Sequence, residues 1–192
     1  MNQKNILIIL GHPNEKSLNK EIADTYFINS KNSGFNVKRI YLYDKKFDPI
    51  LHKGYNGEQK LETDLKSSQK EIKWADHIVF IYPIWWGTMP SLLKGFIDRV
   101  FLPGFAFQYK NNSMIPKRFL KNKTSRIITT SGMPGFLFWF TNQDRKLIKR
   151  FFLNFVGIKP VRYTNFGSAE DISKKKFLEI KNKTEKLARK GK

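Results

Sequence analysis

Three predicted strands, each followed directly by a loop, constrain the fold of this chain more than any other feature. The strands cover residues 5–10, 78–82 and 127–130. The first two are apolar runs, which is typical of strands that are covered on both faces of a parallel sheet. The loops that follow the three strands lie at residues 11–13, 83–87 and 131–134.

The alternation of such runs with helical patterns predicts an α/β fold. It favours a doubly wound, five-stranded parallel sheet with helices on both faces. We expect the strand order 2-1-3-4-5, which brings the carboxyl ends of strands 1, 3 and 4 to the switch point where ligands bind. The predicted strands cover residues 5–10, 37–42, 78–82, 127–130 and 161–166, and the predicted helices 17–34, 61–75, 90–100, 144–155 and 174–190.

The composition favours a single domain over residues 1–192. The chain is 40% hydrophobic and has no low-complexity linker that would divide it. It has no cysteine, which excludes disulfides and thiolate chemistry, and its three widely spaced histidines predict no metal site. The first apolar run begins a few residues after Met1, which leaves no room for a signal peptide and predicts a cytoplasmic location.

The formal net charge of +20 raises the question of nucleic-acid binding. The charge comes from 28 Lys and 8 Arg spread over the whole chain, with the densest cluster in residues 174–192. This lysine bias is typical of an A+T-rich genome, and no nucleic-acid-binding motif accompanies it. We therefore expect no specific nucleic-acid partner and a solvated, basic last helix.

The first loop has the composition of an anion site. Gly11 permits a tight turn, and His12, Ser17 and Asn19 surround the start of a helix. Free N–H groups and the positive end of the helix dipole favour a phosphate there. A plain strand-to-helix turn is the alternative. The spacing matches neither the glycine-rich dinucleotide fingerprint nor a P-loop.

The second loop places two adjacent indoles, Trp85 and Trp86, after a buried strand. Aromatic faces offer a large contact area to a planar ligand. Both tryptophans could instead fill the core under the next helix. Two neighbouring side chains on a loop do not both point inward, so we expect at least one at the pocket.

The third loop supplies hydroxyl groups and an unhindered backbone at residues 129–132. Such donors would stabilise negative charge that develops on the edge of a ring. A β-turn with capping hydroxyls is the alternative. An aromatic run follows at residues 136–140, and it suits a core helix or a lid over a flat apolar ligand equally well.

The segment 82–107 resembles the NAD(P)H:quinone oxidoreductase family with a flavodoxin-like fold. That family includes bacterial modulators of drug activity, general stress reductases and ancillary flavoproteins of potassium-efflux systems. Further similarity at residues 11–13, 17–19, 47–50 and 75–76 extends the resemblance over nearly the whole chain. The matching residues in 82–107 are Pro83, Trp85, Trp86, Met89, Pro90, Leu93, Lys94, Gly95, Ile97, Asp98, Arg99, Val100, Phe101, Gly104, Phe105, Ala106 and Phe107.

The resemblance implies a two-electron reductase. A bound flavin, FMN or FAD, would take a hydride from NAD(P)H and pass it to a quinone or a similar flat acceptor by a ping-pong mechanism. The resemblance also implies a homodimer, and it gives Gly132, Thr130 and Trp86 the catalytic role. The implied flavin-binding residues are His12, Ser17, Leu18, Asn19, Pro83, Ile84, Trp85, Trp86, Gly87, Thr129, Thr130, Ser131 and Gly132.

Two departures from the animal members of the family bear on the acceptor. Phe136 lies near the position of a tyrosine that assists proton movement, and no histidine follows His77. The family's paired glycines appear as Ser131 and Gly132. The alternative to an enzyme is a regulatory flavoprotein that contacts a membrane potassium-efflux transporter, with its basic surface against the anionic leaflet.

Overall fold

A parallel sheet of five strands forms the centre of the protein. The computed structural model describes residues 3–55, 57–109, 113–134, 137, 143–170 and 172–192. The sheet contains five of the strands, and a short antiparallel hairpin contains the other two, β4 and β5. The strands are β1 (Asn5–Leu10), β2 (Asn36–Tyr41), β3 (His77–Pro83), β4 (Phe107–Gln108), β5 (Lys117–Arg118), β6 (Thr124–Thr130) and β7 (Val161–Phe166).

The strand order of the large sheet is β2-β1-β3-β6-β7, and all four pairings are parallel. In chain order of the sheet strands this is 2-1-3-4-5, so the prediction of a doubly wound α/β fold is confirmed. All seven residues of β3 are buried, as the apolar run predicts for a strand between two others and under helices on both faces.

Five helices longer than one turn surround the sheet in the part of the chain that the structure describes. Four are continuous: α1 (Leu18–Asn32), α2 (Thr63–Trp74), α3 (Ser91–Val100) and α5 (Lys174–Arg189). The fourth in chain order, α4, joins three segments, Gln143–Lys146, the π-helical Leu147–Leu153, and Asn154–Val156. Each predicted helix is confirmed within a few residues. No helix in the described ranges is both long and apolar enough to cross a membrane.

The two faces of the sheet bury two separate apolar clusters. One cluster joins alternate residues of the strands, such as Ile9 and Phe80, to residues of α2, α3 and α4. The other joins Ile8 and Ile81 to residues of α1 and α5, including Tyr26. Successive residues of a strand point to opposite faces, so both clusters grow from the same apolar runs.

Arg99 contacts both ends of the segment 45–62, for most of which the sequence predicts no helix or strand. Its side chain is fully buried and donates to the backbone carbonyl of Asp48, at 2.5 Å, and to the carboxylate of Glu62, at 2.9 Å. A buried guanidinium is tolerated only with such partners. The segment is thereby held against α3, and it carries Tyr55 to the edge of the groove described below.

His77 at the amino end of β3 is buried and uncharged. Its Nδ1 lies 2.6 Å from the hydroxyl of Thr124. Burial, together with the positive charges of Lys4, Arg126 and Arg162, lowers the pKa of His77 to about 3. Because the unfolded chain has the ordinary pKa near 6.5, it binds a proton that the folded protein excludes between these two values.

We therefore expect the free energy of unfolding to fall as the pH falls below about 6.5, with a slope that His77 makes steeper by up to about 1.4 kcal/mol per pH unit. The variant His77→Gln keeps a hydrogen bond to Thr124 but has no proton to bind. Urea unfolding between pH 4.5 and 7 should show a shallower slope for it. Equal slopes for the two proteins would contradict this account.

Candidate functional site

Direct contacts tie the three predicted loops together at the carboxyl edge of the sheet. Asn19 Nδ2 donates to Thr130 Oγ1 at 2.9 Å, which joins the first loop to the third. The N–H of Ile84 donates to the carbonyl of Thr130 at 2.8 Å, which joins the second to the third. The rings of His12 and Trp85 meet edge to face with centroids 5.5 Å apart. The structure thus brings these loops to one place.

The first loop packs tightly against α3. A Cβ atom at Gly11 would lie 2.7 Å from Leu93 Cδ2, so the glycine is needed for this close approach. Ser17 is the N-cap of α1 and accepts from the N–H of Lys20. The helix therefore presents the positive end of its dipole beside the loop. This is the arrangement that the sequence predicts for an anion site. Gly11, however, is required by the close packing against Leu93 and not by a tight turn.

His12 lies against the backbone of Asn14. Its Nδ1 is 3.0 Å from the N–H of Asn14 and 3.1 Å from the carbonyl oxygen of the same residue, so the ring accepts from the first or donates to the second according to its tautomer. Partial burial lowers the pKa of His12 below its ordinary value. The histidine is therefore uncharged near neutral pH, and a single N–H group of its ring would be the donor to an anion.

Asn19 has a buried acceptor without a partner. Its side chain is 3% exposed, and its Oδ1 finds no hydrogen-bond donor anywhere in the described part of the chain. An unsatisfied buried polar atom costs about 1–3 kcal/mol. A ligand with a hydroxyl or N–H donor that reaches the start of α1 would satisfy it.

The second loop is a tight hairpin turn of the kind that matches the twist of a sheet. Trp85 and Thr88 exchange backbone hydrogen bonds of 2.9 and 3.1 Å. Trp86 and Gly87 between them have φ angles of 50° and 81°, which a type I′ turn requires. Trp86 is fully exposed and Trp85 is 44% exposed. Neither indole fills the core, so the alternative interpretation of this loop is wrong.

The third loop directs its hydroxyls to different places. Thr130 faces Asn19, as described above, whereas Thr129 Oγ1 donates to the hydroxyl of Tyr163 at 3.0 Å on the other face of the sheet. Ser131 Oγ donates to the carbonyl of Met133 at 3.1 Å. The prediction that the hydroxyls of residues 129–132 serve one site therefore needs correction, because among these three it is Thr130 whose side chain contacts Asn19 at the start of α1.

Gly132 is exposed and lies under a carboxylate. The side chain of Glu170 occupies the space that a Cβ atom at this glycine would take. A flat ligand that reaches the backbone of Gly132 would therefore meet Glu170 as well. Of the aromatic run 136–140, the structure describes Leu137 alone, and Phe136 lies with the rest of the run outside the described residues.

An apolar groove of about 1080 Å³ runs from the second loop along α3 and α4. Trp85 and Trp86 form part of its wall. Phenylalanines at helical spacing on α4 line it further on, and Phe151 among them is 69% exposed. That spacing of aromatic residues is the signal in the sequence from which the groove could have been anticipated.

A buried carboxylate, Asp144, lies behind the second loop and was not singled out from the sequence. It accepts from the hydroxyls of Tyr82, at 2.7 Å, and Thr88, at 3.2 Å. Burial raises the pKa of Asp144, although these donors oppose the shift. Burial and the neighbouring carboxylate raise the pKa of Tyr82 well above its ordinary value. In the described ranges, no group of three acidic, histidine or cysteine side chains could hold a metal ion.

The strained backbone of Trp86 leads to a prediction. Asparagine adopts the left-handed conformation more readily than tryptophan, and the exposed indole contributes no packing within the subunit. We expect Trp86→Asn to raise the free energy of unfolding of the dilute, flavin-free protein by about 1 kcal/mol. Trp86→Phe, the matched control, should leave it unchanged in urea unfolding. An asparagine variant less stable than the phenylalanine variant would show that the indole packs in solution.

Two curated relatives show what the sequence is similar to. The chain is 31% identical over 186 residues to an uncharacterized NAD(P)H oxidoreductase of Haemophilus influenzae, and the match covers 92% of this chain and 91% of the relative. It is also 31% identical over 146 residues to NAD(P)H dehydrogenase [quinone] 1 of Cavia porcellus. That match covers 66% of this chain but only 52% of the longer relative.

Solved structures have the same architecture. The protein Smu.1420 from Streptococcus mutans UA159 is 36% identical and superposes with a TM-score of 0.82 over 97% of this chain and 99% of its own. An FMN-dependent NADH-azoreductase from Bacillus anthracis, solved in complex with FMN, is 21% identical with a TM-score of 0.74 over 98% and 99% of the two chains. The second likeness shows the fold alone.

The family comparison agrees with the order of the sheet strands and extends over nearly the entire sequence. A family model described as flavodoxin-like fold matches residues 4–189. The chain therefore belongs to this flavodoxin-like family.

Proposed function

We propose that the protein is a flavin-dependent oxidoreductase that transfers a hydride from NAD(P)H to quinones or similar flat acceptors by a ping-pong mechanism. The observation that carries the proposal is the junction of the three loops, where the unpartnered Asn19 Oδ1 lies beside the start of α1. The names of the relatives from Haemophilus influenzae and Cavia porcellus support the use of NAD(P)H and a quinone. The Bacillus anthracis neighbour, which binds FMN, supports a flavin.

The residues at the junction fit a flavin. The start of α1, with His12, Ser17, Leu18 and Asn19, would hold the phosphate and the adjoining hydroxyl-bearing chain, whose donors satisfy Asn19 Oδ1. The isoalloxazine ring would lie along residues 83–87 and 129–132, which carry the aromatic wall and the donors. Whether the flavin is FMN or FAD stays open.

A bound flavin would supply the hydride chemistry, accepting two electrons and returning them to a second substrate. The protein's own residues would bind the acceptor and donate hydrogen bonds to the flavin. Trp86 and the apolar groove would hold a flat acceptor and exclude water. Thr130 and the backbone of Gly132 would donate to the edge of the ring where negative charge develops. We assign these three residues the catalytic role on that basis.

The first test is the colour and redox behaviour of the purified protein. We expect a yellow protein whose flavin is released by denaturation, because the chain has no cysteine for a thioether link. Anaerobic NADPH or NADH should bleach the flavin absorbance, and a quinone should restore it. A colourless protein that also takes up neither FMN nor FAD would refute the proposal.

A single substitution tests the first loop. Because His12 is a neutral donor, we expect His12→Ala to weaken FMN binding by about 1 kcal/mol, which is about fivefold in Kd. Quenching of flavin fluorescence on binding gives the measurement. His52→Ala, which changes an exposed histidine, is the matched control and should leave Kd unchanged. Equal affinities for wild type and His12→Ala would remove His12 from the site.

We further propose that a second copy of the chain covers the groove and completes the pocket. The groove is continuous with the wall formed by Trp85 and Trp86, and its apolar lining extends to exposed residues of α4. Exposed apolar surface on this scale is typical of an interface between subunits. A homodimer would thus place residues of both subunits beside the acceptor.

The dimer has a direct test. Light scattering of the wild type at micromolar concentration should give twice the mass of the chain. Phe151→Glu places a charge in the groove and should yield a monomer, whereas Leu178→Glu, on α5, is similarly exposed and should leave the dimer intact. A monomeric wild type would contradict the proposal.

The remaining expectations about partners stay predictions. These are a cytoplasmic location, the absence of a specific nucleic-acid partner, and the alternative role as a regulatory partner of a potassium-efflux transporter. Salt-sensitive binding to DNA would be consistent with the charge of +20 alone.

A further inference from the structure

We infer that Asp144 is a positioning residue, which fixes the Trp85–Thr88 turn against α4 and so sets the place of the aromatic wall. The positioning of the turn does not depend on the proposed function. The effect of Asp144 on flavin binding does rest on it.

The carboxylate of Asp144 bridges the turn and the scaffold. On the side of the turn, Oδ1 accepts from Thr88 Oγ1 at 3.2 Å, and the N–H of Met89 donates to the same carboxylate. On the side of the sheet, Oδ2 accepts from the hydroxyls of Tyr82, at 2.7 Å, and Tyr163, at 3.5 Å. One buried group thus connects α4, two strands and the base of the turn.

Trp85, at the start of the turn, contacts the ring of His12, but the tip of the turn has no such support among the described residues. The tip has a fully exposed indole at Trp86, and nothing lies within 4 Å of the place where a Cβ atom of Gly87 would be. The positive φ of Trp86 is unfavourable for a tryptophan, so the surrounding structure must stabilise it. The bonds from Thr88 and Met89 to Asp144 lie directly after this tip and supply that restraint.

A carboxylate suits the position better than a neutral side chain. An ionised carboxylate accepts through both oxygens, and the four groups around Asp144 are all donors. An amide at this position would turn an NH₂ group towards one pair of those donors. The cost of burying the charge is offset only while the hydroxyl and N–H partners remain in place.

Two matched variants separate positioning from simple stabilisation. Thr88→Val and Tyr82→Phe each remove one hydroxyl from Asp144, but only Thr88 belongs to the turn. In the flavin-free protein, NMR hydrogen exchange of the Trp85 and Thr88 amides should become about tenfold faster in Thr88→Val and at least as fast in Asp144→Ala. Tyr82→Phe should lower Tm. In this variant, the ratio of the exchange rates of the Trp85 and Thr88 amides to that of the Gly11 amide should be the same as in the wild type.

Binding of FMN gives the second measurement. Thr88→Val and Asp144→Ala should raise Kd for FMN about tenfold, Asp144→Asn should recover part of the loss, and Tyr82→Phe should have the affinity of the wild type. Equal effects of Thr88→Val and Tyr82→Phe on exchange would overturn the inference and leave Asp144 a stabilising residue only. A wild type that binds neither FMN nor FAD would refute the proposed function, and the exchange rates would then decide the role of Asp144 alone.

Discussion

The hydrogen bonds of the parallel sheet continue beyond the ends of its strands, and the candidate site depends on this continuation. Past β1, the N–H of Gly11 donates to the carbonyl of Ile81 at 2.8 Å. Past β3, Ile84 donates to Thr130, and past β6, Ser131 donates to Phe166 at 3.0 Å. Each loop therefore leaves the sheet in register with its neighbour. The contacts between the loops require that register, because side chains as short as Asn19 and Thr130 meet only when both backbones are fixed.

Much of the fold could be predicted because its strands obey a local rule. A segment as apolar as β3 has few alternatives to a buried parallel strand. The helices of the fold show a helical periodicity of apolar residues in the sequence. The segment 45–62 follows no such rule. It is held by Arg99, whose partners include backbone carbonyls that have no signature in a sequence. The π-helical segment Leu147–Leu153 likewise has the pattern of an ordinary helix.

The candidate site likewise has a part that could be predicted from the sequence and a part that could not. Loop positions such as His12, Asn19 and Trp86 could be predicted because ligands bind at the carboxyl edge of a doubly wound sheet. The correction at Thr129 follows from the alternation of a strand, since adjacent residues of β6 face opposite sides of the sheet. Asp144 could not be found in this way. It is 56 residues from Thr88 and 62 from Tyr82 in the sequence, and only the packing of α4 brings them together.

Several features that lower the stability of a protein lie together at the carboxyl edge of the sheet. A tryptophan adopts a positive φ and exposes its whole side chain, an amide oxygen is buried without a partner, and a carboxylate is buried behind them. At the opposite edge, His77 Nε2 is buried and has no partner among the described residues, and the ring there is neutral. One such feature is tolerated by a stable core. Several at one edge of the sheet reduce stability together, and they persist where a ligand or a reaction requires them.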